Sequence, residues 1–150
     1  MMATSILILQ LAKIGTAAVT FMFFLKKISV QKPKTISLII FPTMYALMSY
    51  MVVQLMDPMW LDGLIYLPLI CWGVHRLVDE GKLVPYIVPL ALMFIAHFYI
   101  GYMVGIFTFF YFCWYCLSRE GRILPKKFFS RCVAFGIGTL VALMCAAFVL

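Results

Sequence analysis

Basic residues in this chain are confined to short polar gaps between long apolar stretches. All but one of its 12 Lys and Arg residues lie in three such gaps, at 26–34, 76–82 and 119–131. These gaps alternate with two that carry no cation, one of them acidic and the other, at 97–101, uncharged. Short loops rich in Lys and Arg stay on the cytoplasmic side of a membrane protein. The alternation therefore predicts both a membrane location and a topology, with the three cationic loops in the cytoplasm.

The apolar stretches between these gaps are suited to membrane-spanning helices. A helix needs about 20 residues to cross the roughly 30 Å hydrocarbon core of a bilayer. The predicted helices cover residues 6–25, 36–56, 64–74 with flanking residues, two parts of 84–117, and 132–150. Pro42 would place a kink near the start of the second helix. The sequence thus predicts an all-α, polytopic membrane helix bundle of about six transmembrane helices, with both chain ends at the outer face.

The stretch 84–117 contains no Asp, Glu, Lys or Arg and is too long for one crossing. A single helix would extend about 51 Å at 1.5 Å per residue, which exceeds any ordinary tilt. One crossing would also place the cationic gap 119–131 outside, against the usual distribution of basic loops. We therefore predict two short helices that meet at 97–101.

Composition excludes most functions of soluble proteins. Hydrophobic residues make up 66% of the chain and charged residues 11%, whereas about a quarter of a soluble domain is charged. The 150 residues leave room for a single transmembrane helical unit over 1–150, with no large soluble domain. The net charge of +7 does not indicate nucleic-acid binding, because the cations flank apolar stretches and form no basic face of a folded domain. Anionic membrane lipids are their expected partners.

The sequence contains no motif for a cofactor or for covalent chemistry. A P-loop, a Rossmann fingerprint, a nucleophile elbow and a metal-ligand spacing are all missing. Cys113 and Cys116 match the C-x-x-C spacing, but redox use of that motif expects a thioredoxin-like βαβ context. We interpret the cysteines as small apolar residues of membrane helices. No cofactor is evident, and a divalent metal stays open.

Asp57 and Asp62 are the acidic residues assigned to the outer face. Asp57 precedes Pro58, and Asp is a favoured helix N-cap while Pro suits the first helical position, which favours a structural role for Asp57. If the helix starts at Pro58, Asp62 lies one turn inside it, where the bilayer interface begins. A carboxylate at that depth is a functional candidate that should face the bundle interior or a watery cavity. The alternative is a second charge that stabilises the helix N-terminus.

Lys13 is the only cation assigned to the outer half of the chain. It lies within the first predicted helix, where its long stem could snorkel to the interface. Alternatively, it pairs with a carboxylate or binds an anionic headgroup within the bundle. The residues alone leave both alternatives open.

The turn at 97–101 carries the remaining candidates. His97 could act as a general base or a ligand, the roles that an imidazole commonly takes, although a hydrogen-bonded turn residue is the simpler interpretation. Tyr99 and Tyr102 could line a groove for sugar or lipid, and a place in an aromatic belt explains them equally well. His75, at the predicted inner interface, is interpreted as structural. The candidate catalytic residue is Asp62, and the candidate substrate-binding residues are Lys13, His97, Tyr99 and Tyr102.

Six short segments, taken in order and spacing, form a distinctive pattern: LAKIG at 11–15, YALMSY at 45–50, MWLDG at 59–63, LPL at 67–69, RL at 76–77 and FYIGYM at 98–103. Together they resemble the YfhO family of bacterial multi-pass membrane proteins. The resemblance covers residues 11 to 103, with similar hydropathy beyond. It implies a location in the bacterial cell membrane.

The YfhO family resembles the GT-C class of glycosyltransferases, which take a sugar from a polyprenyl-phosphate carrier at the outer face of the membrane. YfhO-like members are implicated in glycosylating cell-wall polymers such as lipoteichoic acid. The resemblance implies that Asp62 orients the acceptor or a metal, and that Lys13 contacts the lipid phosphate or pairs with an acidic residue. His97 stands where the family pattern predicts Asn, so the resemblance adds no base role for it.

The family chain is several times longer than this one, and its N-terminal helix and first outer loop have no counterpart here. That loop carries a key acidic residue in GT-C enzymes. We therefore expect this chain to be an internal fragment, or a truncated gene product, that lacks a full set of groups for sugar transfer.

Two other functions stay open from the sequence. Prolines in short helices and the turn at 97–101 are compatible with a transporter or flippase for lipids or small molecules, although inverted repeats are not found. A non-catalytic membrane scaffold would use Asp57 and Asp62 only to stabilise a helix end.

Overall fold

A computed structural model describes residues 2–29, 33–54, 57–118 and 125–149. Helices are the only regular secondary structure in these ranges. In chain order they are α1 (Met2–Ile28), α2 (Thr35–Ala46), α3 (Ser49–Val53), a 3-10 helix (Pro58–Leu61), α4 (Asp62–Glu80), α5 (Val84–Ala96), α6 (Phe98–Ser118) and α7 (Pro125–Val149).

Four helical segments of the described ranges are long and apolar enough to cross a membrane. They are Thr4–Ile28, Met59–Glu80, Phe98–Ser118 and Phe128–Phe148, and two shorter apolar helices, Thr35–Ala46 and Val84–Ala96, accompany them. The prediction of an all-α membrane helix bundle is confirmed.

The segment predicted as a second crossing, 36–56, is not one continuous helix. Helix α2 runs through Pro42 and ends at Ala46, and α3 begins at Ser49. Leu47 leaves the helical region with φ −104° and ψ 15°. The helix thus continues past Pro42, and the interruption falls a turn later; residues 55–56 lie outside the described ranges.

The stretch 84–117 is divided at His97, as the sequence predicts. Helix α5 ends at Ala96, His97 adopts an extended backbone (φ −160°, ψ 103°), and α6 begins directly after it. The two helices pack closely at Gly101, where an added Cβ would lie 2.7 Å from the Phe94 ring. Only a glycine permits that approach without a shift of the ring.

Helix α4 extends farther than the predicted end at 74–76. It continues to Glu80, which pairs with Arg76 one turn earlier and with Lys82 just beyond the helix. Such pairs at i,i+4 stabilise a helix end, and Gly81, with φ +77°, then terminates it in the left-handed conformation that glycine accepts. Part of the predicted cationic gap is therefore helical.

The chain comprises two compact units, Met1–Pro68 and Leu69–Leu150, whose boundary falls within α4. In the first unit, α1 packs against α2 and the 3-10 helix. In the second, α5 packs against both α6 and α7.

Candidate functional site: the Lys13–Asp62 ion pair

The first unit contains an ion pair between two helices that are distant in sequence. The Nζ atom of Lys13, in α1, lies 2.7 Å from Oδ1 of Asp62, the first residue of α4. The two side chains are only 18% and 19% exposed. Of the two alternatives that the sequence leaves open for Lys13, the structure has the pairing with a carboxylate.

Local sequence around Asp62 sets its position. Asp57 and Pro58 begin a 3-10 helix, in which the Trp60 amide donates to the Asp57 carbonyl at 3.0 Å, and this turn runs directly into α4. Asp62 therefore lies one turn inside the combined helix, as predicted. Asp57 occupies the N-cap position, but its exposed side chain makes no capping hydrogen bond. Its expected structural role is thus reduced to starting the turn.

The pair is next to an apolar cluster. Ala17, Met51 and Leu61 form its buried centre, and partly buried side chains pack against them. Ala17 lies four residues after Lys13 and therefore on the same face of α1, while Leu61 directly precedes Asp62. Because few water molecules reach such a place, the attraction between the two charges is stronger than on an open surface.

Tyr45 of α2 fixes the position of α1 relative to α4 in this unit. Its ring stacks on Phe21, with centroids 4.4 Å apart and planes 9° apart, and its hydroxyl donates to the Leu64 carbonyl at 2.8 Å. Phe21 follows Lys13 by two turns on the same face of α1, and Leu64 follows Asp62 by two residues. Tyr45 thus contacts both helices that carry the Lys13–Asp62 pair.

The other candidate residues belong to the second unit. His97 accepts a hydrogen bond at Nδ1 from the Ile100 amide, at 3.3 Å, and its own amide donates to the Met93 carbonyl. This is the hydrogen-bonded turn residue that the sequence offered as the simpler interpretation, here acting as the N-cap of α6. Tyr99 and Tyr102 are more than half exposed, and Tyr102 lines an apolar groove between α6 and α7.

A polar network in the second unit was not predicted. His75 Nε2 and the Tyr111 hydroxyl share a hydrogen bond of 2.7 Å, the Tyr115 ring lies 3.9 Å from the His75 ring between centroids, and the Tyr115 hydroxyl donates to Asp79 Oδ2 at 2.8 Å. The signal in the sequence is the matching i,i+4 spacing of His75 with Asp79 and of Tyr111 with Tyr115. We call these four residues the His75–Asp79 network.

Metal ligation was left open by the sequence. Within the described ranges, no three His, Cys, Asp or Glu residues come together as a possible metal site. Asp62 has an ammonium as its near partner, which competes with a cation for the carboxylate. We therefore assign no metal-dependent step to this site.

Comparison with known proteins identifies the family. No curated protein and no solved structure matches the chain. A family model described as "Bacterial membrane protein YfhO" matches residues 1–150. The match extends beyond the segments that carried the resemblance and includes both candidate charges. The chain therefore belongs to the YfhO family of bacterial membrane proteins.

Proposed function

We propose that this chain is part of a membrane glycosyltransferase that moves a sugar from a polyprenyl-phosphate carrier to a cell-envelope polymer such as lipoteichoic acid. The observation that carries the proposal is the Lys13–Asp62 ion pair, a carboxylate and an ammonium 2.7 Å apart beside an apolar cluster. Ionisable side chains within membrane segments are costly and mark functional sites by default. Membership of the YfhO family is consistent with this location.

The two charges match the two demands of glycosyl transfer. The acceptor hydroxyl forms a new bond to the anomeric carbon while the bond from that carbon to the phosphate oxygen breaks. Asp62 takes the hydroxyl proton, which makes it the general base. The electron pair of the broken bond stays on the phosphate, whose growing charge Lys13 stabilises.

The ion pair gives the resting site a defined state. Without substrate, each side chain compensates the charge of the other in a place that water reaches poorly. An incoming phosphate would compete with Asp62 for the Lys13 ammonium. Its arrival would therefore release the carboxylate to accept a proton from the acceptor, so that the base becomes available only when the donor is present.

We test the assignment by replacing Asp62 in cells that produce the protein from its native gene. Asp62→Asn keeps the shape of the side chain but cannot take a proton, so sugar transfer into the envelope polymer should fall by about 10²-fold or more. Transfer of radiolabelled sugar in membrane vesicles measures this. Asp57→Asn is the matched control, because Asp57 is exposed and lies outside the pair.

A charge exchange separates catalysis from folding. The double variant Lys13→Asp with Asp62→Lys keeps an ion pair, so the protein should accumulate in the membrane as the wild type does while transfer stays lost. Wild-type transfer in Asp62→Asn at equal protein level would refute the catalytic role.

Orientation is the second part of the proposal. The distribution of basic residues supports cytoplasmic loops at 26–34, 76–82 and 119–131, which leaves the pair in the outer half of the membrane. In a variant without the native cysteines, Ser29→Cys and Ile123→Cys should resist an impermeant maleimide in intact cells and react once the cells are opened. Reaction of both positions in intact cells would invert the topology and remove the pair from the outer face.

A further inference from the structure

Helix α4 contains a proline shortly after Asp62. Pro68 lies inside the helix, and a proline has no amide N–H. In a regular α-helix the amide of residue 68 would donate to the carbonyl of Leu64, so this carbonyl lacks its usual donor. A backbone carbonyl in a membrane segment needs a partner, because the hydrocarbon contains no water that could replace one. The turn that follows Asp62 is therefore one helical hydrogen bond short.

The hydroxyl of Tyr45 supplies the missing hydrogen bond. It donates to the Leu64 carbonyl at 2.8 Å, and it comes from a different helix, α2. Both residues also pack against the apolar cluster beside the ion pair, whose buried centre includes Leu61. A donor from a neighbouring helix is a common way in which a membrane helix tolerates a proline. Here it makes the position of the first turns of α4 depend on α2.

The two contacts of Tyr45 are of different kinds. Its ring stacks on Phe21 of α1, with the centroids 4.4 Å apart, while its hydroxyl alone reaches α4. Helix α1 carries Lys13, and the first turn of α4 carries Asp62. One side chain thus links the two helices of the ion pair. Removal of the hydroxyl would keep the contact with α1 and break the hydrogen bond to α4.

We propose that Tyr45 is a positioning residue for the Asp62 carboxylate and that it acts through the Leu64 carbonyl that Pro68 leaves free. The hydroxyl holds the first turns of α4 against α2 and so keeps Asp62 beside the Lys13 ammonium. This inference rests on the proposed function, in which Asp62 takes a proton from the acceptor hydroxyl. Because a displacement of about 1 Å can cost a reaction as much as 10²-fold in rate, the position of the base matters.

Tyr45→Phe removes the hydroxyl and keeps the ring that stacks on Phe21. We expect kcat for sugar transfer in membrane vesicles to fall about tenfold, the effect of one lost hydrogen bond, while KM for the donor stays the same. The matched control is Tyr50→Phe. Tyr50 is an exposed tyrosine of α3 outside the apolar cluster, so its variant should keep the wild-type kcat.

Pro68→Ala tests the route through the free carbonyl. Alanine returns an amide N–H to position 68, and this amide can donate to Leu64 within the helix. The Tyr45 hydroxyl should then be dispensable. In the Pro68→Ala background, Tyr45→Phe should therefore lower kcat by less than about twofold, as expected for sites that no longer interact. A tenfold loss in both backgrounds would show that the hydroxyl acts by another route and would overturn the proposal.

A distance measurement examines the positioning role without an activity assay. Leu9→Cys on α1 and Met59→Cys in the 3-10 helix before α4, both exposed, carry nitroxide labels in a full chain that lacks its five native cysteines. Electron paramagnetic resonance in lipid vesicles should give one narrow distance distribution for the labelled parent and for Tyr50→Phe. Tyr45→Phe should shift or broaden it, and the addition of Pro68→Ala should restore it. Circular dichroism checks that each variant stays folded.

The two measurements keep this inference separate from the proposed function. Wild-type transfer in Asp62→Asn would refute the function and leave the distance result to decide whether Tyr45 positions the helix. An unchanged distance distribution in Tyr45→Phe would refute the positioning role, even if Asp62→Asn has lost transfer. A loss of kcat without a change of distance would also overturn it, because the hydroxyl would then act on the reacting groups directly.

Discussion

The Lys13–Asp62 pair and the His75–Asp79 network both join helices through polar side chains. Their carboxylates differ in burial and in the group that they contact. Asp62 is about four-fifths buried and is compensated by a full positive charge. Asp79 is exposed and accepts a hydrogen bond from a neutral phenol, Tyr115. The cost of removing a buried charge from water is large, whereas an exposed carboxylate keeps much of its hydration. Burial therefore makes a countercharge necessary for Asp62, whereas the Asp79 carboxylate stays in contact with water.

The ion pair and the His75–Asp79 network also differ in what they contribute to stability. A pair of buried opposite charges contributes little net stability over apolar residues of similar size. The His75–Asp79 network, by contrast, satisfies polar atoms at the edge of α4 and α6 at low cost. Stability alone therefore does not explain the Lys13–Asp62 ion pair, whereas it does explain the His75–Asp79 network.

The largest effect should come from removing one member of the pair. Lys13→Met keeps the length of the stem but leaves Asp62 alone beside the apolar cluster, so the free energy of unfolding should fall by about 3 kcal/mol. Denaturant titration in detergent micelles, followed by circular dichroism, measures the change.

A double variant sharpens this test. Lys13→Met together with Asp62→Leu removes both charges, and its stability should return to within about 1 kcal/mol of the wild type. If Lys13→Met alone costs less than about 0.5 kcal/mol, the pair behaves like an exposed surface pair. The contrast with the exposed Asp79 would then be lost.

The Lys13–Asp62 pair could be predicted in part from the sequence. Lys13 and Asp62 are charged residues within or beside apolar stretches. Because an unpaired charge in a membrane is costly, each must either pair with an opposite charge or reach the interface. The break at His97 could also be predicted, because an uncharged stretch of that length cannot cross a bilayer once. These predictions rest on large energies that tertiary packing does not reverse.

The His75–Asp79 network could not be predicted from the sequence. His75, Tyr111 and Tyr115 are residue types that commonly lie at a membrane interface without contacting one another. Only the packing of α4 against α6 brings their polar atoms together. The interruption of α2 after Ala46 was missed for a related reason. Nothing in the local sequence at Leu47 marks it, and Pro42, the residue that should disturb a helix, stays within one.

The smallest effects should separate the two tyrosines within the network. Tyr111→Phe leaves half-buried His75 without its hydroxyl partner, and the free energy of unfolding should fall by about 1.5 kcal/mol. Tyr115→Phe should cost about 0.5 kcal/mol, because water can replace its hydroxyl at the exposed Asp79. Both are measured by the same micelle titration.

The order of the two values decides between burial and charge as the controlling factor. Hydrogen bonds to ionised groups are intrinsically stronger than those between neutral groups, so charge alone predicts the larger loss for Tyr115→Phe. Burial predicts the larger loss for Tyr111→Phe, since the group left behind has less access to water. A larger loss for Tyr115→Phe would therefore show that the charge on Asp79, and not the burial of His75, controls the strength of the network.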